Sequence, residues 1–423
     1  MYLKAITTTF SRQAELVALC DLNPHRLSLA QEAVRRATGV GADEAIPGGG
    51  PADFEDLIRK CSVDTVIVTT MDRTHDEYIV RAMEAGCDVI VEKPLTVDAR
   101  RLARIEEVRQ RTGRSIRVTF NYRYAPRNSV IRELLQVRRA IGAIKSVHFE
   151  WLLDTVHGAD YFRRWHRDKK NSGGLLVHKA THHFDLMNWW LADQPETVYA
   201  SGALVYYGRE NAEARGITRF PDRGTGADPA DHYTLDLSRD NELKQMYLEA
   251  EKYDGYRRDE HVFGHYISIE DDLSVLVRYR GGTRMTYHLT AYSPWEGFRI
   301  AFNGDAGRLE YTVVEKTTVS GSDDDRGRSD AAADEGPLEE VTIRLLPLSG
   351  KVEEITPPGT NEIGHGGGDR RMLQDIFDPN REEDPLGRAA DHTAGIYSIA
   401  VGIAGNMSLA REVPVAISEV VGR

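Results

Sequence analysis

A lysine between a glutamate and a proline, Glu92-Lys93-Pro94, closes the apolar run 87–91. At the C-terminal end of a parallel strand, such a lysine can hold a substrate hydroxyl and stabilise the alkoxide that develops as hydride departs. An isolated Glu-Lys-Pro is more often a surface loop with an ordinary ion pair. The strand-end position turns the reading toward chemistry. A second stretch, 173–190, opens on two glycines and holds His178, His182, His183 and Asp185. His178 and His182 are four apart and share a helical face, which Asp185 continues. An imidazole beside a carboxylate is the usual apparatus for general base work near neutral pH. The bland alternative, open for His183 above all, is a histidine that satisfies a buried hydrogen bond. His-x-x-x-His with an aspartate also fits zinc. Lys179, however, stands where the zinc-protease signature has glutamate. A cation beside the ligands disfavours a metal, and none is expected.

Other residues add weaker signals. Asp21 ends the run ELVALCD, where a carboxylate can bond both hydroxyls of an adenine ribose and repel a 2′-phosphate. That favours NAD over NADP, although Arg26, one helical turn on, keeps NADP open. Thr69, Thr70 and His75 fall where the next strand ends and its helix begins, a position that can face a dinucleotide or simply cap the helix. His365-Gly366-Gly367-Gly368-Asp369 precedes a helical pattern. Glycines there expose backbone N–H groups to a ligand, or form a tight turn between domains. Tyr161 to His166, with Trp165 and His166 foremost, mixes aromatic and cationic side chains that suit a sugar face. Packing between domains explains them nearly as well.

The elements that must position these residues alternate. Residues 1–12 read as the body of a helix, ELVALCD as a strand, and 24–38 as a helix. Strands at 63–70, 87–94 and 115–124 are separated by amphipathic helices at 74–86 and 95–113, each stopped by glycine. Strand alternating with helix indicates a Rossmann-like, doubly wound parallel sheet, here lacking its first strand, over residues 1–122. From 123 to 423 the texture changes. Longer strands at 145–153, 197–207, 273–282, 283–293 and 299–314 alternate in period two, which predicts a large, mostly antiparallel sheet with one open face. Residues 208–262 read as a charged, irregular insertion, and 319–340 as an acidic mobile loop.

A net charge of −12 disfavours nucleic acid and anionic membrane as partners. The three cysteines, Cys20, Cys61 and Cys87, are far apart and read as reduced thiols, so a cytoplasmic location is expected. No stretch is apolar enough over 18 residues to predict a membrane span.

With these residues in view, the chain resembles the Gfo/Idh/MocA oxidoreductases along most of its length. Val91-Glu92-Lys93-Pro94-Leu95 is similar to the family's Glu-Lys-Pro motif. Asn121-Tyr122-Arg123-Tyr124 resembles the segment that crosses into the second domain. Residues 173–185 resemble the catalytic helix, with His182 on the motif histidine and Asp185 on the acid three residues later. Phe302-Asn303-Gly304 and Gly307-Arg308-Leu309-Glu310 are similar to the late sheet hairpin. The resemblance implies NAD or NADP as cofactor, a sugar or polyol as substrate, and a homodimer or homotetramer paired through the open sheet. It implies that Lys93 positions the reacting hydroxyl, that His182 takes its proton, and that Asp185 binds a neighbouring hydroxyl or orients the site. It places Glu92 and Asn121 beside the cofactor. Arg123, Tyr124, Trp165, His166, His183 and His365 fall beside the substrate. Two departures stand out. His178 occupies a position where the family usually carries an acid, which puts simple inositol-type activity in doubt. The first strand and its glycine turn do not precede residue 1, which is expected to reflect a late start or a true truncation. Two other readings stay open: an NAD-dependent glycosidase or lyase acting by transient oxidation, and a non-catalytic sugar-binding relative.

Overall fold

The computed structural model describes all residues except 40, 42–44, 229, 317–339, 359–361, 363, 382 and 423. Strands are numbered in chain order. In the first part lie β1 (Leu19–Cys20), β2 (Gly48–Gly49), β3 (Thr65–Val68), β4 (Asp88–Val91) and β5 (Ile116–Val118). β3, β4 and β5 run parallel, and β1 pairs with β2 in a separate parallel piece. The helices between them begin and end as their sequences dictate. Asn23 caps Pro24–Thr38 by accepting from the backbone N–H of His25 and Arg26, and Asp98 caps Ala99–Thr112 by accepting from Arg101. Gly39 and Gly113 close these two helices at φ 70° and 68°. Val89 and Val91 are fully buried beneath Ile79, Met83, Leu102 and Ile105.

Residues 1–12 are helical as expected, through Tyr2–Lys4 and Ala5–Thr9. Tyr2, Ala5 and Phe10 pack on Leu373, with Ile67 and Phe377 alongside. The strand expected over ELVALCD is shorter: among the described residues only Leu19–Cys20 finds a ladder partner. The strand expected over 115–124 stops at Val118. Asn121–Tyr124 is a single 3₁₀ turn that carries the chain out of the sheet. Thr119 still bonds back to Val91, and the next two amides turn onto Val118 and Thr119.

The second sheet is built from β6 (Ile144–Asp154), β7 (Pro195–Ala203), β8 (Asp272–Tyr279), β9 (Arg284–Ser293), β10 (Glu296–Gly304), β11 (Gly307–Lys316), β12 (Glu340–Pro347) and β13 (Glu353–Ile355). After these, β14 (Ala390–Asp391) returns to pair with β5, so the first sheet is completed from the far end of the chain. β15 (Val415–Ala416) pairs with β7. The large sheet has the order β13-β12-β11-β10-β6-β9-β8-β7-β15 and is antiparallel except at β6–β9. Alternate residues point inward, as period two requires. Trp151, Tyr287, Phe298 and Tyr311 fill the covered side. Helices Ala180–Leu191 and His392–Arg411 lie over that side. His392–Arg411 is apolar and long enough to cross a membrane, yet 67% of its apolar window is buried inside the fold. The other side of the sheet is open, with a hollow of about 660 Å³ lined by His148, Tyr199, Leu276, His288 and Arg299 among others.

Among its described residues the insertion holds short helical turns, at Arg209–Ala214, Leu237–Arg239, Asn241–Leu243, Lys244–Leu248 and Glu251–Asp254, and an isolated antiparallel bridge between Arg223 and Glu260. It folds back onto the first domain, where Asn23 Nδ2 donates to the Ala250 carbonyl at 3.0 Å. The loop expected at 319–340 falls, up to residue 339, outside the described residues; Glu340 begins β12.

Gly402 decides how closely His392–Arg411 approaches the turn that carries His178. A Cβ at Gly402 would lie 2.3 Å from the Leu176 carbonyl oxygen and 2.7 Å from its carbon. Backbone cannot yield as a flexible side chain does. Gly402→Ala is expected to destabilise by about 1–3 kcal/mol, the range for overpacking. Urea unfolding checks this: an unchanged midpoint would contradict the close packing.

Candidate active site

The end of β4 delivers Lys93, and the turn before helix Ala180–Leu191 delivers His178. Lys93 Nζ lies 3.4 Å from His178 Nε2 and 3.4 Å from the His178 carbonyl oxygen. The other ring nitrogen, Nδ1, lies 2.5 Å from Asp72 Oδ2. Asp72 sits in the turn after β3 and is 3% exposed. Burial pushes the Asp72 carboxyl well above the ordinary range, against the pull of Lys93 and Arg164. Asp72, His178 and Lys93 thus form one line of titratable groups drawn from both domains. Sequence reasoning passed over Asp72, which stands between Thr70 and His75 in a stretch read only as a cofactor edge or a cap.

Around His178 close Tyr161, Trp165 and His166. His166 packs its ring 4.1 Å from that of His178, and Trp165 stacks on His166 at 3.6 Å. His166 is buried, and burial first, then Arg164, hold its pKa well below 6.5. A second line, also unforeseen, ends at Tyr161: Glu296 Oε1 lies 2.5 Å from His157 Nδ1, and His157 Nε2 lies 3.0 Å from the Tyr161 hydroxyl.

His182 lies one turn beyond His178. Its ring stacks on Tyr122 at 4.6 Å, and its Nδ1 is buried without a hydrogen-bond partner among the described residues. Burial, with Lys93 and Lys179 nearby, holds its pKa well below 6.5, so the ring is neutral. His365 lies 6.5 Å from His182, ring to ring, and its Nδ1 is 2.9 Å from Asp369 Oδ2. Asn121 Nδ2 donates to Asp369 at 2.7 Å, while Asn121 Oδ1 is buried without a partner among the described residues.

Four expected site residues are placed otherwise. Asp185 and Arg123 are spent on each other: both carboxylate oxygens accept from the guanidinium, at 2.6 and 2.7 Å, and the pair is buried. Burial raises the Asp185 carboxyl to about 6 despite Arg123. His183 points into the aromatic packing, stacked on Trp151 at 3.8 Å with Nδ1 2.7 Å from the Tyr287 hydroxyl. Its neighbour in sequence, His182, faces the other way because consecutive helical residues diverge by roughly 100°. Tyr124 donates to Asp375 at 2.7 Å and accepts from Arg117. The helix reading brought His178, His182 and Asp185 onto one face, yet their partners differ: Asp72, Tyr122 and Arg123. They do not converge as a ligand set.

At the cofactor end, Asp21 accepts from the Asn23 amide at 2.7 Å and lies 3.7 Å from Arg26 Nε. Thr69 and Thr70 are exposed at the end of β3. Glu92 accepts from the Tyr2 hydroxyl at 2.8 Å. His75 is buried and braces two loops, with Nδ1 2.7 Å from the Pro94 carbonyl and Nε2 3.0 Å from that of Thr70. It braces the loop that carries Lys93.

A parallel sheet that presents a lysine, a neutral histidine and a His–Asp pair at its carboxyl edge, roofed by a second open-sheet domain, defines a two-domain, dinucleotide-dependent oxidoreductase of CH–OH groups. Residues 1–120 match the family model for an oxidoreductase family NAD-binding Rossmann fold, and 135–417 match that for the family's C-terminal alpha/beta domain. The chain belongs to the Gfo/Idh/MocA oxidoreductase family. YteT of Bacillus subtilis (strain 168), whose name assigns it to the oxidoreductases without a substrate, is 35% identical over 99% of this chain and 95% of its own. The inositol 2-dehydrogenase of Rhizobium meliloti (strain 1021) is 28% identical over 45% of this chain and 52% of its own. Among solved structures, the aldose-aldose oxidoreductase of Caulobacter crescentus, complexed with glycerol, superposes with a TM-score of 0.59 at 15% identity, over 97% of this chain and 95% of that one. The WlbA dehydrogenase of Bordetella pertussis, in complex with NADH and UDP-GlcNAcA, gives 0.60 at 17%, over 98% and 94%. At these identities the structural matches speak for the fold.

Two measurements test the electrostatics. His75 has its pKa lowered to about 4 by burial. The unfolded chain therefore binds its proton first, and stability falls as pH drops from 6.5 toward 4. His75→Gln should remove up to about 3 kcal/mol of that acid loss, read by urea unfolding at pH 7 and pH 4.5. Equal acid sensitivity in both proteins would exclude a buried neutral His75. Arg123→Leu strands the Asp185 carboxylate and should cost about 3–5 kcal/mol at pH 7.5. A loss under 1 kcal/mol, on the order of an exposed ion pair, would contradict the burial.

Proposed function

We propose that the protein oxidises a secondary hydroxyl of a sugar, polyol or sugar derivative, with NAD as hydride acceptor. The Lys93–His178–Asp72 line carries this reading. The residues present fit a nicotinamide dinucleotide: Asn121 Oδ1 is a buried acceptor without a partner among the described residues, Thr69 and Thr70 are exposed at a strand end, and Asp21 closes β1. Asp21 would hold the adenine ribose, and Asn121 with the Thr69–Thr70 backbone would face the nicotinamide half. When bound, the nicotinamide accepts the hydride.

Lys93 holds the reacting hydroxyl and stabilises its oxygen as charge develops. The hydroxyl proton passes to an imidazole, the C–H bond breaks toward the cofactor, and a carbonyl remains. The resemblance assigns the proton to His182. In this chain the geometry favours His178, because Asp72 stands ready to stabilise the imidazolium on its Nδ1 side. His182, neutral and without a partner at Nδ1 among the described residues, is suited to hold a second substrate hydroxyl. Trp165 and His166 wall the same space.

A second copy is the proposed occupant of the open sheet, where Leu276 and Tyr199 are 53% and 38% exposed. Leu276→Glu should shift the sedimentation coefficient toward a monomer.

The test is NAD reduction across a panel of sugars, inositols and sugar acids. Lys93→Met should abolish turnover. Asp72→Asn should lower kcat by about 10²–10⁴-fold, the range for general base catalysis, with little change in KM. His182→Asn should act chiefly on KM. Glycoside cleavage without net NADH would favour transient oxidation instead. Sugar binding unaffected by Lys93→Met, with no nucleotide bound, would replace catalysis by a binding role.

A further inference from the structure

The insertion reaches the cofactor end of the first domain. Asn23 Nδ2 donates to the Ala250 carbonyl, His25 Nε2 lies 3.1 Å from the Gln245 carbonyl, and the His25 ring stacks on Tyr253 at 5.9 Å. Asp254 forms an ion pair with Arg26 through Nη2, and its other oxygen accepts from the Tyr256 amide at 3.0 Å. The two side chains are 9% and 18% exposed, so the pair is largely shielded from solvent. Arg26 also lies 3.7 Å from Asp21.

Arg26 is the cation that the sequence offers to a ribose 2′-phosphate. A guanidinium held by a carboxylate has little left to give a phosphate, and that carboxylate adds a second negative charge beside Asp21. Of the other charged groups on this stretch, Glu249 lies 3.9 Å from His25 and 4.0 Å from Lys244, and Glu251 is paired with Arg223. They leave Arg26 alone.

We infer that Asp254, a residue of the second domain's insertion, sets cofactor choice by capturing Arg26 and excluding the 2′-phosphate of NADP. The inference rests on the dinucleotide-dependent reading above and names a specificity-determining residue for it. The control is exerted across the domain boundary, so the acid at the end of β1 does not act alone.

Calorimetric binding of NAD and of NADP to the full chain tests it. Wild type should prefer NAD. Asp254→Asn keeps the shape and the acceptor for Tyr256 while releasing Arg26, so NADP affinity should rise at least about tenfold relative to NAD. The double variant Arg26→Leu, Asp254→Asn should lose that gain. Glu249→Gln, which removes a nearby carboxylate not touching Arg26, should leave the ratio unchanged. A latch that only joined the domains would weaken both dinucleotides together. An unchanged NADP to NAD ratio in Asp254→Asn, or a wild type that binds both equally, overturns the inference and leaves the proposed function standing. A wild type that binds neither overturns both.

Discussion

Asp72 is a carboxyl group with almost no access to water; burial pushes its pKa up, and its polar atoms must be answered from within the protein. An uncompensated buried carboxylate costs several kcal/mol. The answer comes from His178, on the other domain, and from Lys93 beyond it. That contact fixes more than one ionisation state. It draws the turn after β3 against the turn before helix Ala180–Leu191, and so sets where the carboxyl edge of the parallel sheet meets the roof above it. Sliding one domain over the other would leave Asp72 buried without its imidazole.

The site helix is held to the same standard on its other faces. Asp185 meets Arg123 from the crossing turn, and His183 meets Tyr287 from the large sheet. Among the described residues, Thr181, His183, Asp185, Trp189 and Trp190 of this helix each reach a partner from another element, whereas His182 Nδ1 and both side-chain polar atoms of Asn188 find none. Burial, with Lys93 and Lys179 nearby, keeps the His182 ring neutral, and a neutral imidazole can accept a hydroxyl proton or a hydroxyl hydrogen bond. The charged residues on either side hold the helix in place, and His178 faces Lys93. Behind them Gly402 allows the long apolar helix to come against the Leu175–His178 turn and support it.

Much of this was legible in the chain. Strand alternating with helix, the glycine stops after 85 and 112, and the period-two runs after 144 located most of the parallel sheet and the central strands of the large one, but not the long helix His392–Arg411 or the strand Glu340–Pro347. Glu92-Lys93-Pro94 and the histidine segment are brought together in the fold, Lys93 against His178. The failures have physical causes. The strand predicted to 124 ended at Val118 because Asn121–Tyr124 serves both domains, and a crossing segment satisfies its backbone by turning. Asp185 looked like chemistry because a carboxylate three residues from a histidine shares its face. Nothing local reveals that an arginine 62 positions away neutralises it. Asp72 was invisible for the converse reason: its partner lies 106 residues further on.

The residues by themselves determined which side chains exist to do chemistry and which elements carry them, because helix and strand periodicity, caps and glycine stops act over a few residues. Tertiary structure decided which partner each of those side chains meets. Arg123, Asp185, His183, Tyr124 and Arg26 all carried the right chemical groups. Each is spent on a partner brought in from a distant stretch, since a buried charge or polar ring is stable only where some other element supplies its counterpart. Lys93 and His178 meet because the domains that carry them meet there.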